Sequence, residues 1–129
     1  MKPSKLIFFG KVIALLIVIL GVIHNIATYT PIIQGGLTCL TKPDLQAILY
    51  ISLVCGSSLI LTGLLLYFQI SKIRQYTVLM VSTLLLGIFL MLTGIFSVFY
   101  MPDNPFAWVA LLLNTSMFAV IIKIRAGIK

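Results

Sequence analysis

Apolar residues fill four long runs of this chain, roughly 6–29, 45–69, 76–100 and 106–122, and the polar residues gather between them. At 1.5 Å of rise per residue, each run is about long enough to cross the ~30 Å hydrocarbon layer of a bilayer as a helix. Inside lipid only helices and closed barrels satisfy their own backbone groups, and continuous runs without strict alternation predict helices. The expected fold is therefore all-α, an integral membrane four-helix bundle occupying residues 1–129 as a single four-span domain with short connections. Pro31, Gly35 and Gly36 are expected to end span one and open the longest loop. Thr41 or Lys42 is placed to cap span two, with Pro43 in the first turn and Asp44 favoured by the helix dipole. Asp103 or Asn104 does the same for span four ahead of Pro105, across a connection so short that spans three and four must be antiparallel neighbours.

Composition agrees with a lipid solvent: 61% of residues are hydrophobic and 9% charged, and the mean hydropathy is +1.22. So little polar surface cannot cover a soluble globule. The net charge of +7 would suggest nucleic acid in a soluble chain, but here the cations flank the spans, which removes that reading. Lys2, Lys5, Lys11, Lys72, Arg74, Lys123, Arg125 and Lys129 all fall on one side, eight of the nine basic residues. Lys42, Asp44 and Asp103 fall on the other. The positive-inside rule then predicts an N-in/C-in topology in the plasma membrane, with Lys11 snorkelling to the inner headgroups. Span one is read as a retained helix, because no clean small-x-small cleavage site follows its long apolar run. Tyr29, Tyr50, Tyr100 and Trp108 toward the outer boundary, with Tyr67 and Tyr76 toward the inner one, match interfacial aromatic belts.

Small and polar residues define faces on these otherwise greasy helices. On span one Gly10, Ala14, Gly21, His24, Asn25 and Thr28 fall within an arc of about 100°. On span two Ser52, Gly56 and Gly63 nearly align, with Cys55, Ser58 and Thr62 beside them, and span three contributes Ser82, Gly87, Thr93, Gly94 and Ser97. Lipid supplies no hydrophobic drive between helices, so small faces are where helices are expected to meet. Gly21, Ser52, Cys55, Gly56, Gly63, Gly94 and Asn114 are the expected interhelical packing and hydrogen-bonding positions; Asn114 shares a face with Ala107 and Ala110. His24, Asn25, Thr28, Thr93 and Ser97 form the expected polar patch near the outer leaflet. A histidine within a span is costly and can donate, accept or titrate. Thr93, Ser97 and Cys55 are the structural partners weighed for it.

Several chemistries lack their parts. No Asp or Glu lies inside a span, which leaves no proton-carrying carboxylate and no acid dyad. Size and four-helix layout are similar to those of small multidrug-resistance transporters, but the embedded acid on which such transport depends is missing. Cys39 in the outer loop and Cys55 in span two do not form a Cys-x-x-Cys pair, and with one histidine they make no zinc site, so neither metal nor cofactor is expected. No catalytic residues are assigned. The expected function is a non-enzymatic binding or accessory protein whose patch contacts a partner helix, a homo-oligomeric copy, a lipid or an apolar small molecule. The alternatives are a small oligomeric transporter without an intramembrane carboxylate, and an intramembrane enzyme using His24 as acid or base.

Overall fold

In the computed structural model, which describes residues 3–73, 75–76 and 78–127, the chain folds into α1 (Pro3–Thr28), α2 (Pro31–Gln34), α3 (Lys42–Lys72), α4 (Val78–Tyr100) and α5 (Pro105–Ala126). Lys2, Arg74 and Lys129, counted above for topology, lie outside the described residues. The helices α1, α3, α4 and α5 are long and apolar enough to cross a membrane. Each runs close to its expected span, with α3 extending further at both ends and α5 further at its C-terminal end. Thr41 caps α3, its Oγ1 accepting from the Asp44 amide and donating to the Asp44 carboxylate, with Pro43 in the first turn. Asn104 caps α5 through the Phe106 amide at 3.0 Å, and the indole of Trp108 donates to the Pro102 carbonyl at 2.8 Å. The long connection is partly helical. Pro31 starts α2 rather than a loop, and Gly35 and Gly36 continue as a 3-10 turn with ordinary negative φ.

Around the bundle α1 packs on α3 and on α5, α5 packs on α4, and α3 meets α4 over a smaller surface. The connections 29–41 and 101–104 share one end of the bundle, called here the loop end; the start of α1, the end of α3, the start of α4 and the end of α5 share the other, the terminal end.

A seven-residue period organises the contacts. Positions 52, 56, 59, 63, 66, 70 and 73 of α3 alternate steps of four and three, as do positions 80, 83, 87, 90, 94 and 97 of α4 and 107, 110, 114, 117, 121 and 124 of α5. Apart from Ser52 and Ser97, at the loop end, every one of these residues is buried. That spacing is the one expected of left-handed crossings near about 20°. On α1, Ala14, Gly21 and Thr28 recur at the same interval and bring its backbone against that of α3. A Cβ on Gly63 would stand 2.9 Å from the Ala14 carbonyl oxygen, and one on Gly94 of α4 would stand 2.9 Å from the Leu111 Cα of α5. Dispersion contacts between close backbones, rather than exclusion of water, hold such seams in lipid. Ile17, Leu66, Leu90, Met117 and Ile121, each with no more than 0% exposure, fill the centre. At the terminal end the Lys11 ammonium lies 5.1 Å from the centre of the Tyr67 ring, a cation–π contact between α1 and α3.

Candidate functional site: a polar recess at the loop end

His24 and Thr28 lie one turn apart on α1 and meet Ser52 on α3. The Thr28 hydroxyl donates to the His24 carbonyl at 2.9 Å, Ser52 Oγ lies 2.6 Å from Thr28 Oγ1, and His24 Nε2 lies 3.1 Å from Ser52 Oγ. A hydroxyl has one proton to give. With the Thr28 proton on the backbone carbonyl, Ser52 donates to Thr28 and His24 Nε2–H to Ser52; with that proton on Ser52, the serine donates to His24 Nε2 instead. In the first arrangement the free lone pair of a neutral imidazole sits on Nδ1, and in the second Nδ1 carries the proton. That nitrogen has no partner among the described residues and is not fully buried.

Asn25 does not join this cluster. Its amide donates to the exposed Ser57 hydroxyl at 3.3 Å, and its Oδ1 lies over Gly56, where an added Cβ would fall 2.0 Å away. At 100° per residue Ser52 and Ser57 point about 140° apart on α3, so His24 and Asn25 occupy opposite sides of the α1–α3 seam. The expected single patch is thereby divided. Thr93 and Ser97 are on α4, which α1 does not contact extensively, and neither bonds His24. Thr93 donates to the Leu90 carbonyl and Ser97 to the Thr93 carbonyl, both at 2.8 Å. Asn114 is fully buried on α5; its Nδ2 reaches Thr93 Oγ1 at a long 3.4 Å, and its Oδ1 has no partner. The partner of His24 is Ser52, three residues before the cysteine considered from sequence.

Comparison with protein-family models, curated proteins and solved structures finds no match to this chain.

His24 and Ser52 are joined by a hydrogen bond, and Thr93 and Ser97 of α4 stand near their depth in the bundle. Contact between α3 and α4 includes a cluster near the terminal end, where the Ser82 and Thr83 hydroxyls lie 3.2 and 2.8 Å from Gln69 Oε1 and 3.0 and 2.7 Å from the Leu79 carbonyl, each sharing its one proton between the two acceptors. Ser52 stands 17 residues from Gln69 along α3 and Ser97 15 residues from Ser82 along α4. Those are about 26 and 23 Å of helix, so the two serines, and His24 with them, lie at nearly one depth. Gln69, Thr62 and Cys55 form a line up the side of α3 that faces α4 at seven-residue intervals: the first is bonded to α4, the second is buried, and the third is exposed. Cys55, expected as a packing residue, is exposed. His24, Ser52, Thr93 and Ser97 are each half-exposed, whereas Ile17 and Leu90, about two turns further in, are sealed. Among the described residues no three His, Cys, Asp or Glu side chains gather as a metal site.

Proposed function

We propose that this chain is a four-span membrane protein with its loop end outward and both termini in the cytoplasm of a plasma membrane. There it acts as a non-enzymatic binding or accessory protein that uses the loop-end recess. One observation carries the reading: interior positions of three helices are polar and half-open at the loop end, while the interior one to two turns below is closed by Ile17, Leu66, Leu90 and Met117. A recess with a floor holds something; a pathway would need all four of those side chains to part. The lopsided charge supports the orientation, because the described Lys5, Lys11, Lys72, Lys123 and Arg125 all lie toward the terminal end and Asp44 and Asp103 toward the loop end.

The decisive experiment is gentle extraction into lipid nanodiscs followed by native mass spectrometry. A retained lipid, apolar small molecule, partner protein or second copy in fixed stoichiometry is the expected result. A bare monomer that moves a solute across reconstituted vesicles would replace the binding reading with the transporter reading.

A further inference from the structure

The described cations Lys5, Lys11, Lys72, Lys123 and Arg125 stand at the terminal end, and the only acidic side chains of the chain, Asp44 and Asp103, stand at the loop end. Asp44 is about 42 Å along α3 from Lys72, so no carboxylate side chain neutralises the terminal end. Two of these cations border one seam. Gly10 of α1 faces Val120 of α5, where an added Cβ would fall 3.1 Å from Val120 Cγ1. From that contact Lys5 and Lys123 lie about 8 and 5 Å further toward the terminal end, each on its own helix, and so at nearly one depth. At 100° per residue, Lys11 and Ala14, which meet α3, turn to one side of Gly10, and Lys5 turns about 140° to the other. On α5, Asn114 and Phe118, which meet α4, turn to one side of Val120, and Lys123 turns about 60° to the other. Both exposed lysines thus border the outer edge of the α1–α5 seam. Packed helices lie about 8–10 Å apart and a lysine stem is long and flexible, so both ammonium groups can reach one phosphate set between them. Among the described residues no other seam offers a cation from each helix: α4 carries none, and across the α1–α3 seam Lys11 faces Tyr67. Toward the middle of the bundle the same edge turns apolar, with Phe9 50% and Leu16 43% exposed on α1 and the small Ala119 exposed on α5.

We propose that the outer edge of the α1–α5 seam binds one anionic phospholipid, its phosphate held between Lys5 and Lys123 and an acyl chain laid along Phe9, Ala119 and Leu16. Charge complementarity at a bilayer surface selects this occupant, because lipid phosphates are the anions concentrated there and two uncompensated cations at one depth discriminate a net negative head group from a zwitterionic one. The site is at the opposite end of the bundle from the recess and does not depend on what the recess holds. The test is reconstitution in phosphatidylcholine nanodiscs containing phosphatidylglycerol as a minor component, release into mild detergent and native mass spectrometry. A single phosphatidylglycerol per chain should be retained in preference to phosphatidylcholine. Lys5→Gln with Lys123→Gln should weaken that retention by about thirtyfold, the effect of two surface cations. Lys72→Gln with Arg125→Gln, which removes the same charge from the same end but off this seam, should weaken it by no more than about threefold. All four side chains are exposed, so both pairs should keep the thermal unfolding of the unmodified protein.

Equal weakening by the two pairs would reduce the effect to the diffuse field of the terminal end and overturn the site. Equal retention of phosphatidylglycerol and phosphatidylcholine, or retention unchanged by the Lys5 and Lys123 substitutions, would overturn it as well. Glycerol phosphate, which carries the phosphate without acyl chains, should fail to displace the lipid; displacement by it would show a site for a free anion and overturn the lipid assignment. Any occupant of the loop-end recess should survive in both pairs, so failure here leaves the binding reading to its own measurement.

Discussion

Gly21 and Gly56 touch backbone to backbone: a Cβ on Gly21 would lie 2.7 Å from the Gly56 carbonyl oxygen, and one on Gly56 would lie 3.0 Å from the Gly21 carbonyl oxygen. Neither helix can retreat without opening the rest of the seam. Gly21→Leu should therefore cost about 1–3 kcal/mol in reversible unfolding from bicelles, through overpacking. Val12→Leu, at a site 39% exposed, should change little. Equal tolerance at the two positions would show that α1 and α3 do not cross closely in the membrane.

The ring of His24, Ser52 and Thr28 predicts strong non-additivity. Breaking it at either helix removes the same closed set of bonds, so Ser52→Ala and His24→Phe should each destabilise by about 0.6–2 kcal/mol and the double variant by little more than the larger single change. His24→Gln, whose amide can still donate to Ser52, should recover part of the loss. Additive effects in this double-mutant cycle would mean that the two side chains act independently.

Asn114 and Thr93 should behave differently, because the bond between them is long and leaves an acceptor orphaned. A coupling energy no greater than about 0.6 kcal/mol is expected from their double-mutant cycle. Asn114→Leu should be neutral or mildly stabilising, since replacing an unsatisfied amide by an apolar group removes a desolvation penalty. Loss of more than about 2 kcal/mol on Asn114→Leu would show that the free Oδ1 has a strong partner in the membrane, such as a bound water.

Topology is checked with the native Cys39. A membrane-impermeant maleimide applied to intact cells should label it, whereas a cysteine introduced at Gln75 in a Cys39→Ser background should be labelled only after permeabilisation. The opposite pattern would reverse the orientation and turn the recess toward the cytoplasm.

The four long helices and their caps were legible because uniform apolarity and the pairs Thr41–Pro43 and Asn104–Pro105 are local signals. The small faces were legible for the same reason. What could not be read was which face meets which helix. In a chain whose helices are apolar all round, the choice of neighbours depends on how the backbones cross, and so Asn25 and His24 looked like one patch although the α1–α3 seam runs between them. A signal did exist: Ala14, Gly21 and Thr28 recur every seven residues on α1, and Gly56 and Gly63 do so on α3. An antiparallel alignment of those two repeats brings Ser52 to His24. The exposure of Cys55 carries no such signal.

Repetition every seven residues has a cost in uniqueness. Small residues recurring at a fixed interval keep one close crossing when α1 slides along α3 by one repeat, since two helices that insert separately must still find their phase in the bilayer. The sliding is penalised by bulk, because it sets Ala14 against Ile70 or Gly21 against Leu49, and by polar atoms. One repeat in either direction sets Ser52 against Ile17 or Pro31, and His24 against Leu59 or Leu45, with the imidazole and both hydroxyls stranded in hydrocarbon. The histidine that lines the recess thus also chooses the phase in which α1 and α3 assemble, and a substitution there can shift the whole hairpin.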